Sequence, residues 1–174
     1  TQPPGRYTEA TLVKTMEELG IGRPSTYAAT IQTIGDRGYV THRGQYLVPT
    51  WLAFSVTRLL EENLANLVDY DFTASMEGDL DRIAAGQENG TEFLTGFFFG
   101  PDGTGEKGGL RHDVASLGDD IDARAVNSID LGRGVTLRVG RYGPYMEKAD
   151  GTRANVPPEV APDELTDELI DQLF

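Results

Sequence analysis

The layout of the N-terminal half is set by residues 20–50, which read GIGRPSTYAATIQTIGDRGYVTHRGQYLVPT. Pro24 suits the first turn of a helix, and an apolar stripe then runs from Tyr27 to Ile34 at helical spacing. The runs YVTH and QYLV are rich in β-forming residues and are joined by a turn that contains glycine. The stretch therefore predicts a helix followed directly by a two-stranded hairpin.

An earlier helix precedes this stretch, in the segment TEATLVKTMEEL, with Leu12, Met16 and Leu19 on one face and Gly20 as its stop. Helix, tight turn, helix and hairpin, in this order, is the layout of a helix-turn-helix with a wing. The sequence thus predicts an α-rich, winged-helix-like DNA-binding domain over residues 1–99. Three more helical segments within it, WLAFSVTRLLEENLANLV, TASMEGDLDRIAAG and EFLTGFFF, are interpreted as its scaffold.

The periodicity changes after a glycine-rich stretch. Residues 100–118 are predicted as a flexible loop between two domains. Residues 119–174 then show four short β-prone runs, VNSIDL, GVTLRVG, YGPYMEK and TRANVP, and a last helix that opens at Pro162. The predicted fold class is α+β with two domains, the second being a small antiparallel four-stranded sheet with one helix.

Composition excludes several kinds of site. The 174 residues contain no cysteine and two histidines, so disulfides, thiolate metal sites and Cys–His catalysis have no support. The net charge of −13 hides two mildly basic segments, 1–58 and 131–153, and a nucleic-acid site needs only such a local patch. No apolar run is long enough to span a membrane, and no signal pattern opens the chain, which favours a cytoplasmic protein.

The segment GIGRPSTYA is the first candidate site. Ser25 and Thr26 lie at a predicted helix N-terminus, where unpaired N–H groups and the helix dipole favour a phosphate, and Arg23 adds a positive charge. Arg37, further along, is a candidate for a neighbouring phosphate. The alternative is that the two hydroxyls only cap the helix while Arg23 is solvated, and spacing alone leaves both open.

The predicted sheet carries the second candidate site. Arg138 and Arg141 flank Gly140, and Tyr142 and Tyr145 follow at once. Arginine beside aromatic residues on a sheet surface is typical of proteins that stack single-stranded bases without reading their sequence. The alternative is that Tyr145 belongs to the core and Tyr142 to a turn.

Two motifs, GIGRPSTYA with DRGYV, and the later DYDFTASMEGDLDRIAAG, resemble the type IA DNA topoisomerases over roughly residues 3–99. The tail, with LRVGRYGPY and the final PDELT helix, is similar to the C-terminal repeats of actinobacterial topoisomerase I, which lack zinc ligands and bind single strands. The resemblance implies that Arg23 and Thr26, with Ser25 as a further candidate, contact phosphates of the single strand, and that Arg37 contacts its backbone.

The resemblance also implies what these residues do not do. The catalytic tyrosine and the metal-binding toprim cluster of this family lie in earlier motifs, and nothing here matches them. We therefore expect a C-terminal piece without catalytic or metal-binding residues of its own, inactive alone, from an enzyme that relaxes negatively supercoiled DNA with Mg²⁺. The implied partners are single-stranded DNA and the rest of the topoisomerase chain, in the cytoplasm at the nucleoid.

Two rival interpretations remain open at this point. A winged-helix protein that reads duplex DNA needs base-reading side chains on its second helix, and Gln32 and Thr33 are the candidates. A protein-interaction module would instead use the acidic segment 154–174 to dock a basic partner, with RNA polymerase as one candidate.

Overall fold

The computed structural model describes residues 3–118 and 121–174. Within these ranges the chain is α+β, with eight α-helices and two small antiparallel sheets. The helices are α1 (Glu9–Leu19), α2 (Tyr27–Asp36), α3 (Trp51–Asn63), α4 (Tyr70–Ala84), α5 (Gly90–Phe99), α6 (Gly109–Leu117), α7 (Ala123–Val126) and α8 (Asp167–Leu173). None of those helices has the length and apolar character needed to cross a membrane.

The first sheet is the predicted hairpin, with β1 (Val40–Arg43) paired antiparallel to β2 (Tyr46–Pro49). The segment before α1 extends it, because Thr8 bridges Tyr46 and the Leu47 N–H donates to the Tyr7 carbonyl at 2.7 Å. Helix, turn, helix and hairpin thus follow in the predicted order. The assignment of these elements to a winged-helix domain stays a prediction.

Several helix boundaries differ from the prediction, among them the start of α2 and the end of α3. Helix α2 begins at Tyr27, because Pro24, Ser25 and Thr26 form a turn closed by the Thr26 N–H on the Arg23 carbonyl at 2.8 Å. The long helix predicted from Trp51 to Val68 ends at Asn63, and a 3₁₀ turn, Ala65–Val68, follows it. Asp69 then caps α4 by accepting from the Phe72 N–H at 2.8 Å.

The loop predicted over residues 100–118 differs from the structure in its second half, where α6 occupies Gly109–Leu117. Leu110, Val114 and Leu117 have helical spacing, but the glycines before them obscured this signal. At the start of α6 the backbone of Gly109 lies so close to the backbone of Gly100 that a Cβ on Gly109 would overlap the Gly100 nitrogen.

The second sheet is four-stranded and antiparallel, as the sequence predicted, and its strand order is β3-β4-β5-β6. Its strands are β3 (Ser128–Asp130), β4 (Val135–Gly140), β5 (Gly143–Lys148) and β6 (Arg153–Asn155). The last helix starts later than predicted: Pro162 opens a 3₁₀ turn, Pro162–Glu164, and α8 begins after Thr166, whose hydroxyl accepts from the Leu169 N–H.

One face of this sheet forms the main core. Leu137 and Met146 have no exposed surface, and Ala154 beside them is buried. Trp51, from the start of α3, packs into the same cluster with Ile170 of α8. The alternation of apolar and polar residues along β4 and β5 accounts for this, since successive side chains of a strand point to opposite faces.

The described residues fall into two compact units. Unit 1 combines the chain up to Leu12 with Ala28–Leu59 and Asp122–Phe174, and unit 2 combines Val13–Tyr27 with Leu60–Ile121. The hairpin and the C-terminal sheet therefore share a unit, since Trp51 belongs to the core of that sheet. The division into domains 1–99 and 119–174 stays a prediction, and its boundary at residue 119 lies outside the described residues.

Candidate functional site

The GRPST segment is a tight loop in unit 2. Gly22 has φ of +76°, and a Cβ there would lie 3.1 Å from the Tyr27 ring, so the close approach requires glycine. The Gly22 N–H donates to Oε1 of Glu77 at 3.0 Å. The Thr26 hydroxyl accepts from the Arg23 N–H at 3.0 Å and donates to the Arg23 carbonyl at 3.1 Å, so Thr26 fastens the loop from inside.

Arg23 is half-buried, and its guanidinium already has partners in unit 2. Its Nε and Nη2 donate to Oδ2 of Asp81 at 3.2 and 2.9 Å. Its Nη1 donates to the carbonyls of Gly22, at 2.7 Å, and Gly20, at 3.3 Å. The hydrogen bond to Asp81 raises the pKa of the Arg23 guanidinium. A phosphate at this position would therefore share Arg23 with Asp81 or displace that carboxylate.

Ser25 and Arg37 present their polar groups to solvent. Within residues 3–118 and 121–174, no hydrogen bond of the Ser25 hydroxyl or N–H occurs, so both groups can bind a ligand. Arg37 directly follows the end of α2, where its N–H donates to the Thr33 carbonyl at 3.0 Å. Its guanidinium forms no ion pair with any described residue. Ser25 lies in unit 2 and Arg37 in unit 1.

The outward face of the C-terminal sheet is polar. It lies opposite the face that carries Leu137 and Met146, and two rows of cross-strand neighbours run over it. One row is Asp130, Thr136, Glu147 and Arg153; the other is Ser128, Arg138, Tyr145 and Asn155. Arg138 and Tyr145 of the second candidate site are therefore direct neighbours on β4 and β5.

Arg138 is tied down on this face. Its Nε donates to Oε2 of Glu147 at 2.6 Å, and its Nη1 donates to the Ser128 hydroxyl. Glu147 also binds Arg153, whose Nε and Nη2 lie 2.9 and 2.7 Å from Oε1. Arg124 adds a third guanidinium, 3.6 Å from Oε2.

Glu147 is expected to make the free energy of unfolding depend on pH in the acidic range. Hydrogen bonds from Arg138 and then Arg153 lower the pKa of its carboxyl from 4.5 to about 2. Because the folded-state pKa is the lower one, the ionised carboxylate stabilises the fold fully above about pH 4.5 and loses this effect as the pH falls towards 2. Glu147→Gln, which cannot titrate, is expected to show a shallower fall in the free energy of unfolding across this window.

Urea unfolding followed by Trp51 emission at several pH values measures this difference. Asp102, Asp150 and Glu168 also have lowered pKa values, each first through a backbone hydrogen bond, so both proteins lose some stability in acid. Only the difference between their pH profiles belongs to Glu147. Parallel profiles for the two proteins would contradict the prediction.

Arg141 and Tyr142 occupy the turn between β4 and β5. The Tyr142 ring is 94% exposed, and the Arg141 guanidinium lies over it at 5.5 Å from the ring centre. Tyr145 lies under the Arg153 guanidinium at 5.6 Å. These four side chains line one open cleft of about 680 Å³, whose remaining wall includes Asn155 and three prolines.

Residues that the rival interpretations need are engaged within their own elements. Gln32 donates to Asp36 at 2.7 Å, and the Thr33 hydroxyl donates to the Ala29 carbonyl at 2.8 Å, both inside α2. Four of the six acidic side chains in the segment 154–174 form ion pairs inside unit 1. These ion pairs are Asp163 with Arg6, Glu164 with Arg43, and Asp167 and Asp171 with Arg133.

Metal binding has no support in the part of the chain that the structure describes. No group of three or more His, Asp or Glu side chains there could hold a metal ion. We assign no step to Mg²⁺ in this chain.

Sequence reasoning missed the acidic partners of the candidate arginines. Asp81 and Glu77 of α4 hold the GRPST loop, and Glu147 holds Arg138 and Arg153. Strand alternation could have placed Glu147 on the outward face, because it lies two residues after Tyr145 on the same strand. Arg153 lies opposite Glu147 on the paired strand and therefore points to the same face. Asp81 had no such signal, because it lies 58 residues from Arg23 in sequence.

Two family models match the chain. The model described as DNA topoisomerase matches residues 1–95, and the model described as Topoisomerase C-terminal repeat matches residues 129–169. The first covers the GRPST loop and α4, and the second covers β4, β5 and β6.

Named relatives agree with these models. DNA topoisomerase 1 of Mycobacterium tuberculosis is 52% identical over 192 residues, which cover 100% of this chain and 21% of that protein. The same protein from Streptomyces coelicolor is 52% identical, with 100% and 20% covered. Full-length topoisomerase I from Thermotoga maritima superposes with a TM-score of 0.63 at 34% identity, covering 92% of this chain and 26% of that structure. The chain thus spans about a fifth of the length of its curated relatives.

Proposed function

Because this chain belongs to the type IA DNA topoisomerase family, we propose that it binds and positions single-stranded DNA within such an enzyme. In this proposal, the complete enzyme relaxes negatively supercoiled DNA by cleaving one strand transiently and passing another through the break. The chain's own residues hold the strand and carry out no bond cleavage.

The observation that carries the proposal is the Arg141–Tyr142 turn beside its cleft. An almost fully exposed tyrosine under a guanidinium offers a π-face to any base and a positive charge to the adjacent phosphate. Tyr145 under Arg153 repeats this arrangement in the same cleft. Stacking on such rings tolerates every base and contributes about 1–3 kcal/mol per base.

The GRPST loop and Arg37 supply the second part of the proposal, as contacts to phosphate. Ser25 offers a hydroxyl and an N–H, and Arg37 a guanidinium, that have no partner among the residues the structure describes. Arg23 contributes either through a guanidinium N–H that does not bind Asp81, or by releasing the Asp81 carboxylate and binding a phosphate in its place. Thr26 acts by holding the loop in this conformation.

The partners that we propose are single-stranded DNA and the rest of a topoisomerase chain, at the nucleoid. RNA polymerase is a weaker candidate, because the acidic segment that would dock it already pairs with Arg6, Arg43 and Arg133. Duplex reading by α2 is weaker as well, since Gln32 and Thr33 are bonded within that helix.

Fluorescence anisotropy of a labelled oligothymidylate tests the proposal. Arg141→Ala/Tyr142→Ala is expected to weaken binding about tenfold, because one stacked base and one charge contact are lost. Arg23→Ala/Arg37→Ala is expected to lower the slope of log affinity against log salt by about 1.4, at about 0.7 per phosphate contact. Arg82→Ala/Arg133→Ala removes the same charge from arginines outside the proposed contacts and is the matched control.

Competition with unlabelled single-stranded and duplex DNA distinguishes the proposed function from its alternatives in the same assay. Unlabelled single strand should displace the probe at lower concentration than duplex of equal length. Preference for the duplex would favour the winged-helix reader, and equal losses in all three double variants would mean that binding follows net charge alone. Absence of salt-sensitive binding by the wild type would contradict the proposal.

A further inference from the structure

The outward face of the β3–β6 sheet holds a cluster of four charged side chains outside the turn described above. Glu147 lies at its centre, with Arg138 and Arg153 hydrogen-bonded to its two oxygens and Arg124 at 3.6 Å. Glu147, Arg138 and Arg124 line a groove of about 630 Å³, and Arg153 lines the cleft of about 680 Å³ described above. Arg124 and Arg153 were not among the residues that the sequence singled out.

The charges in this cluster do not balance. Three guanidinium groups surround the Glu147 carboxylate, so two positive charges remain after pairing. Asp130 and Lys148 line the same groove, and their opposite charges offset each other. The outer two are accessible, because the side chains of Arg124 and Arg153 are 72% and 62% exposed, whereas that of Glu147 is 13% exposed. An anion that approaches the face therefore meets guanidinium groups before it meets the carboxylate.

Hydrogen-bonding capacity remains as well. Arg124 contacts Glu147 at a distance longer than a hydrogen bond, and its guanidinium N–H groups have no acceptor elsewhere in the described ranges. Arg153 uses Nε and Nη2 on Glu147, which leaves Nη1 unused among those residues. Guanidinium forks of this kind match the oxygens of a phosphate.

Glu147 also fixes where the arginines point. By holding Arg153 from below, it keeps that guanidinium over the Tyr145 ring, at the edge of the stacking cleft. By holding Arg138, it keeps a second guanidinium beside Tyr145 on the neighbouring strand. The lowered pKa of its carboxyl, about 2, means that Glu147 is charged at neutral pH.

We propose that Glu147 is a positioning residue for single-strand binding by this sheet: it orients Arg138 and Arg153, while Arg153 and Arg124 contact phosphates of the strand. The proposal rests on the proposed function and extends it. A strand whose bases stack on Tyr142 and Tyr145 continues over the sheet, and its next phosphates meet Arg153 and Arg124. Glu147 touches no DNA and acts through the arginines that it orients.

The direction in which Glu147→Gln changes the affinity for DNA distinguishes a positioning role from a purely electrostatic one. Glu147→Gln removes a negative charge near the DNA, so a carboxylate that acted only through its charge would bind DNA more tightly once neutralised. If Glu147 positions the arginines, the same variant binds more weakly, by about tenfold for one lost stacking or bidentate contact. Glu147→Asp, which keeps the charge but shortens the reach, is expected to fall between Glu147→Gln and the wild type.

The arginines are tested by the salt dependence of oligothymidylate binding between about 50 and 200 mM salt. Arg124→Ala and Arg153→Ala are each expected to lower the slope by about 0.7, and the double variant by about 1.4. Arg133→Ala is the matched control, since it removes the same charge from an arginine held by Asp167 and Asp171, and its slope should equal that of the wild type. Both tested arginines are exposed, so these variants should fold.

Each outcome decides the inference. Lower slopes for the two arginine variants, with weaker binding by Glu147→Gln, support it. Unchanged slopes, or tighter binding by a Glu147→Gln protein with native Trp51 emission, overturn it. Should Glu147→Gln fail to fold, the arginine slopes alone decide. If wild type binds and responds to Arg141→Ala/Tyr142→Ala but ignores Arg124 and Arg153, this inference fails, while the part of the proposed function carried by the Arg141–Tyr142 turn stands. If wild type does not bind, the proposed function fails.

Discussion

Leu137→Ala is expected to lower the free energy of unfolding of unit 1 by about 2–5 kcal/mol, the range for truncating a fully buried leucine. Leu137 has no exposed surface and lies in the sheet core beside Met146 and Trp51. Removing its isobutyl group loses the transfer energy of those carbons and leaves a cavity that the paired strands cannot close.

Urea unfolding followed by Trp51 emission is the measurement, because the single tryptophan belongs to the same core cluster. Leu52→Ala is the matched control: it deletes the same atoms from a side chain that is 40% exposed on α3. Its effect should be less than half of that at Leu137. Equal losses at the two positions would mean that the Leu137 side chain does not support this core.

Gly109→Ala is expected to destabilise unit 2 by about 2–5 kcal/mol, through two separate effects. Gly109 has φ of +81°, which costs an alanine about 1–2 kcal/mol. A Cβ there would also overlap the Gly100 nitrogen and lie 2.8 Å from the Phe98 carbonyl oxygen. Backbone atoms cannot rotate away as a side chain would, so the crowding adds about 1–3 kcal/mol.

Gly86→Ala separates the two effects. Gly86 has φ of +71°, but nothing lies within 4 Å of a Cβ built there, so only the conformational cost applies. Hydrogen exchange of the amides in α5 and α6 is the measurement, since the Gly100 N–H closes the last turn of α5 on the Gly96 carbonyl. Protection factors that drop equally in both variants would rule out the backbone contact as a source of stability.

Local patterns in the sequence determined most of the secondary structure. The alternation in VTLRVG predicts a strand with one apolar face, and the structure buries Val135 and Leu137 on that face. The order of α1, α2 and the hairpin followed from apolar spacing and from the glycines between them. Family membership also followed from short motifs, because GIGRPSTYA and DRGYV lie close together in the chain.

Only the tertiary structure showed which residues distant in sequence contact each other. Asp81 reaches Arg23 across 58 residues of sequence, and Trp51 joins the core of a sheet whose first strand begins at Ser128. Periodicity reports which face of an element is apolar, but carries no information on which other element covers that face. A partner distant in sequence is fixed by the path of the whole chain, so the carboxylates that hold the candidate arginines became visible only in the folded protein.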